Sequence, residues 1–418
     1  RIIKQQQAAG ALIMDYAGHG DPTQMSHESV LKLTDFADFR NTNLPLWVTA
    51  SCDIMPFDGL EANIGEYALL NDKGGAVAFY GTTRTVYAQY NRHINRAFIH
   101  RVLSLVDGKP ITIGEAHRLA QNDLVSGNGP TSGSDVTVNH LHYSLLGDPA
   151  LALNLPMHQI VVDSINGIPV AGAATLPMLK AGSIARMAGH IEGADDFRGV
   201  ITAAVRDSKE TVTCRLNDTG KDGAEKAFEY KDRTKTLYQG TDSVRGGKFT
   251  FSFAVPLDIN YSNQSGLVNL YAVNTAKTLS AHGSSEQFTV GESEEQKNDS
   301  IGPSIYCYLN SPSFVDGGNV NTTPFFVAKI TDKDGINAAG SGIGHDLQLV
   351  IDGDMSKAYV LNSNFIYDFG TYTSGSTYYS IPQLEPGKHE LTFRAWDIQN
   401  NSSMVKLRFN VMKALSPA

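Results

Sequence analysis

The sequence predicts an α/β domain on a partly parallel sheet, residues 1–156, followed by two all-β sandwich modules, 157–295 and 296–418. Three observations predict this. Residues 10–16 and 44–49 are apolar, strand-like runs, each leading into a loop of small and polar residues. Strands apolar along their length are the inner strands of parallel sheets covered by helices. Apolar residues then recur at helical spacing between further runs of this kind. Beyond residue 156 the texture changes to short alternating runs broken by Gly, Asn, Asp and Pro, which is how antiparallel sandwiches read.

Composition narrows the function. With 418 residues, 41% apolar and 18% charged, the chain has material for two to four folded domains. A net charge of −9 without a Lys/Arg-rich run argues against a nucleic-acid partner. No segment has the apolar length to span a bilayer. The opening Arg1-Ile2-Ile3-Lys4 reads as the last turn of a helix running into a core strand, so the chain is expected to be a fragment. Three cysteines, Cys52, Cys214 and Cys307, form no disulfide framework. A Cys214–Cys307 bridge remains open beside the preferred reading, two buried thiols in separate domains.

In chain order, the run 10–16 ends in Tyr16-Ala17-Gly18-His19-Gly20, and the run 44–49 in Thr49-Ala50-Ser51-Cys52-Asp53. Loops beyond the carboxyl ends of adjacent parallel strands share one crevice, so His19 and Cys52 can meet although they are 33 residues apart. An imidazole that takes a thiol proton leaves a thiolate able to attack a carbonyl. The glycines flanking His19 let backbone N–H groups approach a reacting oxygen. Between the two loops, residues 34–40 read as a short helix with Thr34 near its cap.

After Cys52, a turn at Pro56-Phe57-Asp58-Gly59 precedes a helix over 61–71, with Ile64, Ala68 and Leu69 on its apolar face. Were that helix to start close behind Cys52, its positive end would favour a thiolate. The strand 75–80 ends in Gly81-Thr82-Thr83-Arg84, a third strand tip and by position a wall of the substrate pocket. Arg84 has two readings there: a partner for a substrate carboxylate or carbonyl, or half of a surface ion pair. A long amphipathic helix over 89–106 buries Ile94, Ala97, Phe98, Val102 and Leu105. Thr112-Ile113-Gly114-Glu115 is a capping box opening another helix. His140 and His142 lack a carboxylate or cysteine at ligand spacing, so no metal site is expected.

In the β part, strands are expected around 160–163, 199–205 and 248–253, then around 325–330, 347–352 and 391–396. Both modules are read as immunoglobulin-like. Residues 291–300 are charge-rich and nearly free of apolar side chains, the clearest linker of the chain. Asp332-Lys333-Asp334-Gly335 resembles the start of a calcium loop without its distal Glu, which favours an acidic turn over calcium. Gly342-Ile343-Gly344-His345-Asp346 and the turn from Trp396 to Asn401 read as packing elements.

Asp15-Tyr16-Ala17-Gly18-His19-Gly20, Thr49-Ala50-Ser51-Cys52-Asp53, Gly74-Gly75-Ala76-Val77-Ala78 and Leu145-Leu146-Gly147-Asp148-Pro149 together resemble the gingipain-type, caspase-like cysteine peptidases. More narrowly they are similar to the sortase-like peptidases of the type IX secretion system of Bacteroidota. The resemblance implies that Cys52 is the nucleophile and His19 the acid/base, with backbone N–H groups near Gly20 and Cys52 as the oxyanion site. It makes Glu28, of the His27-Glu28 pair, a residue that orients His19 or lines the cleft, against its reading as a solvated carboxylate. It implies removal of C-terminal sorting domains from secreted cargo, with transfer of the acyl group to lipopolysaccharide or water. The setting would be the outer-membrane surface of a Gram-negative bacterium, with an outer-membrane β-barrel as tether. Two alternatives stand beside it: a secreted gingipain-like protease acting on external proteins, and an inert surface module whose sandwiches bind glycans or proteins.

Overall fold

The computed structural model describes residues 2–126, 135–214, 220, 225–295, 299–339 and 344–413. The expectations on 342–343 and on 296–298 of the linker lie outside those residues. The chain forms two compact units, Arg1–Leu155 and Pro156–Ala418.

In the first unit, four strands lie in the order β1 (Ile13–Ala17), β2 (Leu46–Ala50), β3 (Ala78–Thr82) and β4 (Tyr143–Gly147). The first three run parallel, and β4 closes the sheet antiparallel to β3. Six helices surround it: α1 (Ile2–Ala9), α2 (Leu33–Asp38), α3 (Ile64–Leu70), α4 (Ala88–Val102), α5 (Ile113–Val125) and α6 (Thr137–His142). Alternation along the strands divides the core in two. Leu46, Val48, Ala78 and Tyr80 pack with Phe98 of α4 and Ala116 of α5. Trp47 and Phe79 pack on the other face with Phe36 of α2 and Ile64 of α3. Every residue of β2 and β3 is buried, as their composition predicts.

Several expected boundaries move, each for a local reason. Of the run 10–16, Gly10 is spent ending α1: it stands at φ +97° and its N–H donates to Gln6 O. Only 13–17 remain as strand, and β1 is a half-exposed edge of the described sheet rather than an inner strand. Helix α2 starts at Leu33, a residue before the expected start at Thr34, and the Asp35 carboxylate caps backward onto Lys32 N–H at 2.8 Å. Helix α4 stops at Val102, and Leu105 turns outward into a small hairpin with residues 109–110. The Thr112 cap forms, its hydroxyl accepting from Glu115 N–H at 3.2 Å, while the Glu115 carboxylate pairs with Arg118 instead of returning to the cap.

Strand β3 begins three residues later than predicted because Gly74 and Gly75 form a turn. Gly75 sits at φ +91°, and a Cβ there would stand 2.1 Å from Ala68 O. Asn41 accepts from its N–H and donates to its carbonyl. Gly75→Ala is expected to destabilise the unit by about 3 kcal/mol, from backbone strain and overlap together. A urea midpoint equal to that of the unsubstituted chain would show that the turn relaxes freely.

His117 lies against Tyr80, ring centroids 5.5 Å apart. Burial, with His140 adding to it, holds its imidazole below the ordinary range. The unfolded chain therefore binds this proton more readily. Stability from His117 is complete above its unfolded value, about pH 6.5, and is lost as pH falls through the lower folded value. Urea midpoints at about pH 7.5 and 5.5 should fall with acid, and His117→Gln should remove part of that fall, at most about 1.4 kcal/mol per pH unit.

In the second unit, seven strands form a ring: β5 (His158–Ile165), β6 (Ile184–Ile191), β7 (Gly199–Arg206), β8 (Thr236–Arg245), β9 (Lys248–Ala254), β10 (Leu267–Asn274) and β11 (Ser280–Ser285). Their ladder order is β5–β6–β9–β8–β7–β10–β11, and β11 pairs back onto β5. The expectation of two separate sheets gives way here to a sheet closed on itself. The following module does consist of two sheets. One contains β12 (Ser304–Leu309), β13 (Phe325–Thr331) and β14 (Ser374–Ser380). The other is built on β15 (Gly387–Trp396) and β16 (Ser402–Val411). Phe326 and Phe393 meet across them at 5.2 Å.

One continuous core runs through both modules, with Tyr238 and Tyr367 in ring contact. The expected linker is therefore partly structured. Residues 291–293 end a strand paired with Met178–Ala181, and Lys180 reaches Glu292 at 2.7 Å. Polar side chains point outward there while the backbone is satisfied by the ladder. Asp332 makes an Asx turn, accepting from Asp334 and Gly335 N–H groups. His345 Nδ1 lies 2.7 Å from Asp258, and its ring packs on Trp396.

Candidate active site

Strands β1 and β2 are paired in register through Ala17 and Ala50, and the ladder extends one step further as Gly18 N–H donates to Ala50 O at 3.2 Å. His19 and Cys52 each stand two residues beyond the last pair, at neighbouring carboxyl ends. The His19 backbone is fixed from two directions, since its carbonyl accepts from Tyr16 Oη at 2.6 Å and from Ser26 N–H at 2.7 Å. Its side chain is exposed. Gly20 lies on the Cys52 loop: a Cβ at that position would be 2.4 Å from Ser51 Oγ and 3.0 Å from Ile54 Cδ1. Only glycine lets the two loops close to this separation.

Cys52 is half-buried. The chain reverses immediately after it, with Asp53 at φ +47° and Asp53 N–H donating to Arg84 O at 3.3 Å. The thiol points toward Val86 O, 3.5 Å from Sγ. Tyr143 lies close by: burial, then the fields of Cys52 and Asp15, push its phenol far above the ordinary value. Among the described residues no disulfide forms, and burial pushes the Cys307 thiol up to about 11. Cys307 is thereby a poor nucleophile at neutral pH.

The remaining predicted residues fare differently. Glu28 is exposed, accepts a hydrogen bond from Ser26 Oγ, and helps to raise the Tyr16 phenol. Thr82 is a correction. It belongs to β3, is fully buried, and donates to Ser51 O at 2.6 Å, so it cannot face a substrate. Thr83 is tied to His142 O through its N–H at 2.9 Å. Arg84 is also corrected: its guanidinium grips both Asp58 oxygens, at 2.9 and 2.6 Å, and this pair holds the Asp58 carboxyl below its usual range. It is the surface ion pair. The helix behind Cys52 begins only at Ile64. Its first N–H groups are taken by Pro22 O and by the Asn63 side chain, so the start of this helix does not serve a Cys52 thiolate.

Residues 1–154 match the profile of peptidase family C25. This part of the chain matches the gingipain family. No curated protein sequence matches the chain. Among solved structures, dimeric latent PorU from Porphyromonas gingivalis is 31% identical, with 82% of this chain and 32% of that chain covered and a TM-score of 0.42. The Arg-specific cysteine proteinase gingipain R is 17% identical, with 69% and 55% covered and a TM-score of 0.32. A complex of Porphyromonas gingivalis RgpB pro- and mature domains is 16% identical, with 69% and 56% covered and a TM-score of 0.33. The chain spans about a third of the length of the PorU structure it matches.

Within the C25 region, sequence reasoning missed two neighbours of the proposed pair. The His27 ring lies 5.4 Å from that of His19, and its place beside Glu28 was the signal that pointed there. The Val86 carbonyl is backbone, and no side-chain motif announces it. Among the described residues, no group of three or more His, Cys, Asp or Glu is arranged to hold a metal ion.

Proposed function

We propose that the C25 region is a thiol peptidase in which Cys52 Sγ attacks a peptide carbonyl and His19 carries the proton. The observation that carries this is the β1–β2 register, which sets both side chains two residues past paired alanines at one sheet edge. Attack forms a C–S bond as the thiol proton passes to imidazole. Collapse breaks the C–N bond, and the imidazolium returns that proton to the leaving amine. N–H groups near Gly20 and Cys52 receive the developing oxyanion. An amine or water then takes the acyl group and frees the thiol.

For the substrate, we read the chain as a processing enzyme that removes C-terminal sorting domains from secreted cargo. The acyl group passes to an amine of lipopolysaccharide or to water, at the outer-membrane surface, where an outer-membrane β-barrel holds the enzyme. The support is the joint resemblance of the two tip loops and the segments 74–78 and 145–149. We read the C25 region as caspase-like and the second β module, with its two facing sheets, as immunoglobulin-like. The test is mass spectrometry of surface cargo from cells whose whole enzyme carries Cys52→Ala. Cargo should retain its sorting domain. Normally trimmed cargo would sink the substrate assignment, and cleavage of generic denatured proteins by the unsubstituted enzyme would favour a degradative protease.

A further inference from the structure

The five residues after β3, 83–87, form a strap held from both sides. Toward the Cys52 loop, Arg84 O accepts from Asp53 N–H, Thr85 Oγ1 donates to Asp53 Oδ2 at 2.6 Å, and Val86 O faces Cys52 Sγ at 3.5 Å. On the far side the strap is gripped by α6 and the start of β4. His142 O accepts from Thr83 N–H, and His142 Nδ1 lies 3.2 Å from Thr85 O. The strongest grip is a single amide. Asn139 Oδ1 accepts from Tyr87 N–H at 2.9 Å, while Asn139 Nδ2 donates to Tyr87 O at 3.0 Å and to Asn91 Oδ1 at 2.8 Å. Tyr143 Oη donates to the same Asn91 oxygen at 3.0 Å.

We propose that Asn139 is a positioning residue, which clamps Tyr87 and thereby holds the Val86 carbonyl against the thiol of Cys52. The chemistry asks for an amide. One side chain satisfies both the N–H and the C=O of Tyr87, as a neighbouring strand would, and keeps a further N–H for Asn91. Asn139 is fully buried, so each bond it loses leaves an unpaired polar group in the interior. Val86 O accepts from the thiol, so the strap fixes the resting direction of Sγ and occupies its hydrogen. The inference rests on the reading of Cys52 as nucleophile.

The test follows iodoacetamide alkylation of Cys52 in the folded 418-residue chain by peptide mapping, for the unsubstituted protein, Asn139→Ala, Asn139→Asp and Phe98→Leu. Releasing the strap should raise the rate near neutral pH about threefold to tenfold in Asn139→Ala, the scale of one weak hydrogen bond. Asn139→Asp keeps only the bond from Tyr87 N–H. It should move the same way, and it decides alone if the alanine variant does not fold. Phe98→Leu loosens the same core without touching the strap and should leave the rate unchanged. Unaltered rates in the Asn139 variants, or an equal rise in Phe98→Leu, would overturn the inference. If Cys52 of the unsubstituted chain reacts no faster than Cys214, the nucleophile assignment fails instead, and the Asn139 comparison still reports on the placement of the thiol.

Discussion

Cys52→Ala is expected to lower peptide turnover by about 10⁴-fold or more, the scale on which removal of a nucleophile acts. It should do so with little damage to the fold. Cys52 is half-buried and its sulfur makes a long hydrogen bond to Val86 O, so about 1 kcal/mol of stability is at stake. The measurement pairs turnover of a sorting-signal peptide with a urea midpoint. A stable variant that still turns over at a tenth of the original rate would remove Cys52 from the chemistry. The same protein gives a clean background for active-site labelling, because the raised Cys307 thiol contributes little and Cys214 is the sole competitor.

His19→Ala should cost about two to four orders of magnitude in turnover, the contribution of a positioned proton carrier. The backbone at this position is held by Tyr16 and Ser26 acting on the His19 carbonyl, and alanine retains that carbonyl. The loss should therefore fall on kcat while substrate binding holds. Neighbouring His27 supplies a control: its ring is 5.4 Å away, and His27→Ala with intact turnover would show that it does not substitute for His19. A His19→Ala enzyme with unchanged kcat would refute the assignment of the acid/base.

What was legible in the sequence was whatever a local pattern dictates. Runs of apolar residues announced β2 and β3, and glycines on either side of His19 announced a tight loop at a strand end. Where turn chemistry competed with apolarity, the boundaries moved. Gly10 closed α1 and Gly75 bent the chain before β3, which carried Thr82 from the expected loop into the sheet interior. The fate of Arg84 depended on Asp58, 26 residues away, and nothing near Arg84 in the chain selects that partner. The antiparallel placement of β4 and the grip of Asn139 on Tyr87 are likewise non-local, settled by packing rather than by propensity. Only tertiary structure could choose between the two readings left open for Arg84.

The closed ring in the second unit has a seam. Strand β11 rejoins β5 through only two residue pairs, Ala281 with His158 and His282 with Gln159, across 123 residues of sequence. Close approach continues at Gly283, where a Cβ would stand 2.1 Å from Ile160 O. Unpaired strand edges are templates on which other chains add, the first step of amyloid-like aggregation. A ring offers no such template while its seam holds. Rupture of those two pairs would expose both β5 and β11 at once, so the seal of this module against aggregation rests on a few hydrogen bonds, and a larger side chain at Gly283 is expected to open it.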